Sequence, residues 1–278
     1  MIDRVYQSNL DLELLFCTNV LKLGSLHYGY SDTPEQLDMA RARAAQTRYT
    51  ETLLTSFPAE VTTVLDVGSG IGDNARAMAD HGYEVTAVSP DANHETYFAA
   101  HPHKGVRFVR SKFEALTLAG PFDLILMSES QNYFDATVGF AQVRRLLRPG
   151  GYLFISGMLR VSYERAFASV VNVEADYLAK AAAAGLTVVS QVDITDNVLP
   201  TLEFAHRVLK EHVVPGVDVF TRYVNSTGGF ASRLVKGAVA HVFRKPMDAL
   251  IDHYAERVDP AAFKKHVKYV RVLFRLEQ

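Results

Sequence analysis

From residue 61 onward, apolar side chains come in short unbroken runs separated by stretches with helical spacing. The runs are "VTTVLDV", "EVTAVS", "VRFVRS", "FDLILMS", "YLFISGML" and "LTVVSQVDI". Near-continuous Val, Ile and Leu marks strands buried on both faces, as in a parallel sheet covered by helices. Between the runs lie "DNARAMADHG", "NHETYFAAH" and "VGFAQVRRLLRPGG", each a predicted helix, the first closed by Gly82. A long helix is predicted over roughly 161–184, stopping at Gly185. "KYVRVLFRL", residues 268–276, alternates and reads as a seventh strand. With right-handed crossovers, this predicts an α/β fold: a doubly wound, mostly parallel seven-stranded sheet.

Two helical regions flank that core. Residues 8–24 place Leu10, Leu14, Leu15, Val20, Leu21 and Leu23 at helical spacing before Gly24, a natural stop. "LHYGYSD" follows, too aromatic for an ordinary loop. "TPEQ", residues 33–36, is a capping box with Pro34 at the first helical position, and its helix should reach Thr55. Residues 195–266 look helical in "LPTLEFAHRVLKEHV" and "LIDHYAERV". The predicted organisation is an N-terminal helical arm (1–55), an α/β core (56–194), a helical insertion (195–266) and a last core strand (267–278).

Composition narrows the function. The 278 residues carry a net charge of −2 with no long basic run, which argues against a nucleic-acid partner. "MIDRVYQSNLDLELLF" has acids where an export signal has lysines, so a cytoplasmic location is expected. No apolar run approaches the ~18 residues of a membrane span. Cys17 is the one cysteine, which suits a reducing compartment and reads better as a small buried side chain than as a nucleophile. No metal site is predicted, and a homo-oligomer stays open.

"VLDVGSGIGDNA", residues 64–75, is a strand running into a glycine turn. A dinucleotide turn reads G-x-G-x-x-G, which from Gly68 needs glycine at 73, where this chain has Asp73. An acid there repels a phosphate at a helix start that otherwise favours anions. The pattern D-x-G-x-G-x-G, beginning at Asp66, suits a zwitterionic, cationic ligand better. S-adenosylmethionine offers an ammonium, a carboxylate and a sulfonium.

The chain resembles class I S-adenosylmethionine-dependent methyltransferases over most of residues 20–195 and at the last strand. The matching pieces are "LHYGYS", "VLDVGSGIG", "FDLILMSES", "LLRPGGYLFISG" and "VDITDNVLPTL", and the likeness is to small-molecule enzymes of the ubiquinone, tocopherol and sugar O-methyltransferase kind. The resemblance implies the class I methyltransferase fold and the cofactor S-adenosylmethionine, with S-adenosylhomocysteine as product. It also implies that Gly68, Ser69 and Gly70 contact the methionine part while Asp66 orients it. The ribose would fall to Ser89, Pro90 and Asp91, where the family usually has an acid at the first position. The adenine would lie at Lys112, Phe113 and Glu114, although lysine cannot accept a hydrogen bond and Lys112 with Glu114 also reads as a solvated pair. Ser128 and Glu129 would line the methionine pocket, and Tyr28 and Tyr30 would wall the sulfonium with ring faces.

Methyl transfer from a sulfonium is an in-line displacement, so positioning supplies much of the catalysis. Related sugar enzymes carry histidine after the fourth strand, whereas this chain has Gln131, Asn132 and Tyr133. The candidates for a base are His27, Glu129, Tyr133 and His206, with His27 first because its ordinary pKa of about 6.5 suits neutral pH. A lid-packing role for His27 is the plainer alternative. Asn132, His206 and Tyr223 are candidate substrate contacts. The expected activity is methylation of a small organic molecule, with a non-catalytic S-adenosylmethionine-binding protein as the alternative.

Overall fold

The computed structural model describes residues 16–163, 167, 170–226 and 259–277. Its strands are β1 (Thr63–Val67), β2 (Glu84–Ser89), β3 (Val106–Arg110), β4 (Phe122–Ser128), β5 (Leu147–Arg160), β6 (Leu186–Asp193) and β7 (Val267–Leu276). The helices are α1 (Met39–Leu54), α2 (Asp73–Asp80), α3 (Ala92–Ala100), α4 (Ala136–Leu146), α5 (Glu174–Ala183), α6 (Thr195–Val208), α7 (Val214–Ser226) and α8 (Pro260–His266). The seven strands form one sheet in the order β3-β2-β1-β4-β5-β7-β6. β1 to β5 pair in parallel, and β7 runs antiparallel between β5 and β6.

Alternation along the strands divides the core into two layers. Val64, Leu124, Leu126 and Phe154 face α1, α2, α6 and α8 through Leu53, Met78, Leu202 and Phe263. Leu65, Ile125, Met127 and Ile155 face α4 and α5 through Phe140, Val143, Tyr177 and Ala181. Each such side chain contributes roughly 1.5–3 kcal/mol by leaving water. The strand order reverses between β1 and β4, so the segments after these two strands share one carboxyl edge. That is where open α/β sheets bind ligands.

Several boundaries differ from the sequence expectation. α1 starts at Met39 and not at Pro34, because Asp38 caps it by accepting from the Arg41 N–H at 2.8 Å. The segment before it is non-helical, and Leu37 is buried against Ala42, Ala45 and Phe204. The expected helix over 161–184 shrinks to α5. Residue Val173 bridges Arg160, and the Arg160 N–H donates to the Asn172 carbonyl at 2.9 Å, so the backbone there serves the sheet instead. The N-terminal helix expected over 8–24 lies mostly outside the described residues. Its described part is one wide turn, Phe16–Val20, and the chain leaves it at Lys22 with φ of +53°, two residues before Gly24. "LIDHYAERV" also lies outside the described residues. Among the described residues no helix is long and apolar enough to cross a membrane.

Candidate functional site at the glycine turn

β1 delivers its last residues into a tight turn whose amides bind back to the neighbouring strand. The Gly68 and Ser69 N–H groups donate to the Val88 carbonyl at 2.8 and 3.1 Å. Gly68 has φ of +72°, and a Cβ on it would stand 2.4 Å from the Ser130 Cβ, so no side chain fits. Ser130 is fixed there by donating to the Val67 carbonyl at 2.5 Å. Gly70, with φ of +56°, differs: a Cβ there would meet only Leu26, at 3.8 Å. One glycine is packed shut by the protein and the other opens onto space.

Two buried side chains of this turn keep a polar atom without a partner. Asp66 is 2% exposed and its Oδ2 has no hydrogen-bond partner. Burial pushes its carboxyl up to about 7, the charge of Asp73 adds to this, and His27 opposes it. The Ser69 Oγ is also buried without a partner. Asp73, at the start of α2, sits 2.8 Å from the His27 Nε2. Burial raises its carboxyl, but His27 and the Ser25 hydroxyl together bring it below the usual range.

His27 is placed as a clamp. Its Nδ1 lies 2.6 Å from the Tyr28 carbonyl, which can only accept. Its Nε2 faces Asp73 and the Thr50 Oγ1 (3.3 Å), and Thr50 already donates to the Asn74 Oδ1 at 2.8 Å. Both ring nitrogens must therefore donate, which is the imidazolium form. Burial lowers the pKa of His27, yet the charge and hydrogen bond of Asp73, the charge of Glu129 and the Tyr28 carbonyl raise it above 6.5. The ring also stacks on Tyr49 at 4.4 Å between centroids. With both nitrogens used, His27 has no atom left to take a substrate proton, which departs from its expected place as first-choice base.

The arm segment around His27 crosses the carboxyl edge as a strap. The Tyr28 N–H donates to the Glu129 Oε1 at 2.9 Å. Gly29 N–H reaches the Thr201 Oγ1 (3.0 Å), Tyr30 N–H the Ala45 carbonyl (2.8 Å) and Ser31 N–H the Asn197 carbonyl (2.9 Å). The Tyr28 ring packs on Phe263 and Tyr269. The Tyr30 ring already faces a cation, the Arg271 guanidinium, at 5.5 Å.

The remaining expected residues fall into distinct places. Ser89 is bonded to the His94 ring at 2.8 Å, and Asp91 caps α3 through the Asn93 N–H at 2.7 Å. Pro90 lies between them, half-buried. The Phe113 side chain is buried against Phe134, while Lys112 and Glu114 are exposed beside it. Ser128 touches the Tyr49 hydroxyl at 3.0 Å. Tyr133 is exposed. Asn132 is drawn into a buried amide cluster: it donates to the Met158 carbonyl and accepts from Asn172. The Gln131 Oε1, also buried there, has no partner. His206 is half-buried on α6 with a buried, unpartnered Nδ1, and Tyr223 on α7 is exposed.

Sequence reasoning missed a polar cluster behind Glu129. The Tyr269 hydroxyl donates to the Glu129 Oε1 at 2.6 Å and lies 2.9 Å from the Tyr49 hydroxyl. Tyr49 in turn donates to the Ser156 Oγ at 2.7 Å. Arg271, 7% exposed, donates to the Ser156 Oγ and to the Tyr49 carbonyl. The one available signal was Arg271 in the middle of an apolar strand, since a buried arginine must be satisfied. Glu129 itself has φ of +62°, uncommon for a residue with a side chain.

Residues 65–155 match the family described as "Methyltransferase domain". The 2-methyl-6-phytyl-1,4-hydroquinone methyltransferase of Synechocystis sp. is 33% identical over 100 residues, covering 34% of this chain and 31% of that protein. The ubiquinone biosynthesis O-methyltransferase of Caulobacter vibrioides is 30% identical over 121 residues, covering 41% and 47%. The chain thus spans less than half the length of these curated relatives. Among solved structures, geranyl diphosphate C-methyltransferase from Streptomyces coelicolor A3(2), with Mg2+, geranyl diphosphate and S-adenosyl-L-homocysteine, has a TM-score of 0.64 at 16% identity, covering 97% and 94%. The [4+2]-cyclase SpnF has a TM-score of 0.66 at 14% identity, covering 95% and 94%. At such identities the likeness is one of fold. Residues 65–155 thus resemble a methyltransferase domain, and the sheet that holds them shares the fold of the solved methyltransferase.

Proposed function

We propose that the protein transfers a methyl group from S-adenosylmethionine to a small organic acceptor, releasing S-adenosylhomocysteine. The observation that carries this reading is the glycine turn, open at Gly70, whose own residues Asp66 and Ser69 keep a buried carboxyl oxygen and a buried hydroxyl without partners. A buried carboxyl oxygen without a partner suits an ammonium group and repels a phosphate at the helix start. When bound, S-adenosylmethionine supplies a methyl group activated on a sulfonium. Asp66, Gly68, Ser69 and Gly70 would hold its methionine end, with Ser128 and Glu129 beside them. Ser89, Pro90 and Asp91 would take the ribose, and Lys112, Phe113 and Glu114 the adenine. The strap carrying His27, Tyr28 and Tyr30 excludes water from the edge, which strengthens the fixed dipoles around it. Asn132, Tyr133, His206 and Tyr223 stay as candidate acceptor contacts. The lone Cys17 and the balanced charge support a cytoplasmic setting without a nucleic-acid partner.

Titration calorimetry tests this. S-adenosylhomocysteine should bind the native protein, while Gly70→Val, which fills the open position, should lose binding and keep its circular dichroism spectrum. Binding of NADH in place of S-adenosylhomocysteine would refute the reading.

A further inference from the structure

Residues 25–27 of the strap lie over the open side of the glycine turn. The atom nearest to that side of Gly70 is the Leu26 Cδ1, 3.8 Å from where a Cβ would stand. Upstream, the Arg43 guanidinium fixes the Leu21 and Lys22 carbonyls, and Gly24 has no atom within 4 Å of its Cβ position, which leaves the backbone room to turn there. Downstream, the Gly29, Tyr30 and Ser31 N–H groups bind neutral acceptors. The stretch between is held by the Gln46 Nε2, which donates to the Ser25 and His27 carbonyls at 3.0 and 2.9 Å, and by the His27 ring against Asp73.

Neither neutral form of the ring fits this setting. With the proton on Nδ1, the Nε2 lone pair stands 2.8 Å from the Asp73 carboxylate. With the proton on Nε2, the Nδ1 lone pair stands 2.6 Å from the Tyr28 carbonyl. Either way two acceptors face each other. Thr50 does not relieve this, because its proton goes to the Asn74 Oδ1. We propose that the His27–Asp73 pair is a proton-operated latch: it holds residues 25–27 across Gly70 while His27 is charged, and it lets them swing away about Gly24 once His27 loses its proton. This does not depend on what the turn binds.

The sign follows from the surroundings of the ring. Burial lowers the His27 midpoint, but the charge and hydrogen bond of Asp73, the charge of Glu129 and the Tyr28 carbonyl carry it above 6.5. The latch is therefore complete below 6.5 and is lost as pH climbs through the midpoint. The groups that face the ring are Asp73 from α2, Asp66 from β1, Glu129 after β4 and Tyr49 from α1, with Arg271 of β7 on the far side of the Tyr49 ring. Asp73 stays ionised through this window, since His27 and the Ser25 hydroxyl hold it below the usual range. Asp66 ionises in the same window and works the other way, because a second anion beside His27 favours its charge.

The test is amide exchange of the native protein from pH 6 to 9, read by mass spectrometry and corrected for the intrinsic pH dependence of exchange. Protection of residues 25–28 should fall roughly ten- to hundred-fold across the range, the scale of one contact to a charged group, while the amides of β1 and β4 hold theirs. The fall should coincide with the titration of the His27 ring proton signal in NMR, assigned by its loss in His27→Gln. Asp73→Asn keeps the shape and gives the neutral ring a donor, so protection should become independent of pH. Asp66→Asn should keep the fall, which separates the latch from the other carboxyl that titrates there. Constant protection in the native protein, a fall that persists in Asp73→Asn, or one that vanishes in Asp66→Asn would each overturn the latch. Should His27→Gln fail to fold, the ring signal is the one whose midpoint drops in Asp73→Asn, and a signal set with no such drop overturns the pairing.

Discussion

Asp66 shows how much one buried carboxyl can decide. Burial, with Asp73 nearby, lifts its pKa to about 7 from an ordinary 3.8. The ionised form is the one that pairs with an ammonium, so affinity for S-adenosylhomocysteine should rise as pH passes from 6 to 8. Calorimetry at those pH values checks this, and Asp66→Asn should bind weakly with a flat profile. Stability runs the other way. The unfolded chain releases this proton at lower pH than the folded chain does, so the contribution is complete below 3.8 and is lost as pH rises toward 7. Relative to native protein, Asp66→Asn should therefore gain resistance to urea as pH is raised across that window. A constant difference between the two proteins would contradict the assignment.

At the scale of elements, the strap is tied to the core mainly by backbone groups. Thr201→Val keeps the shape of the side chain and removes the acceptor of the Gly29 N–H. A buried donor left unmatched costs about 1–3 kcal/mol. The urea midpoint should fall accordingly, and amide exchange at residues 25–31 should quicken. A smaller effect is expected from Asp38→Ala at the α1 cap in the same assay. The strands and the glycine turn were legible in the sequence because their patterns are local: apolar runs and the Asp66–Gly68–Gly70 spacing. The stretch before α5 was not. Its backbone bonds Arg160, a contact set by the sheet and invisible in helical spacing. The α1 start was misplaced because "TPEQ" offers a good cap, while the burial of Leu37 favours starting at Asp38. The same rule governs the site. Tyr49 and Tyr269 meet across 220 positions, and no periodicity joins them.

For the whole molecule, ligand binding should register in global stability. At a ligand concentration of one hundred times Kd the folded state gains about 2.7 kcal/mol, which at about 2–4 °C per kcal/mol for a chain of this order of size raises the melting temperature by about 5–11 °C. S-adenosylhomocysteine should produce this shift in a thermal scan, and NADH should not. The fold neighbours set the reach of such an argument. One is a methyltransferase and another a [4+2]-cyclase, on closely similar frames. One frame thus serves different reactions, and side chains decide which.

The position of β7 in the sheet has a consequence for assembly in time. This strand lies between β5 and β6, yet it follows every other described element along the chain. A polypeptide emerging from the ribosome exposes its glycine turn, Gly68–Gly72, long before β7. Glu129 must wait for Tyr269, 140 positions later, and Tyr49 for Arg271, 222 positions later. Contacts of such separation form slowly, since the loop between them must first be closed. A nascent chain that ends before β7 holds the glycine turn without the contacts that Tyr269 and Arg271 bring to Glu129 and Tyr49.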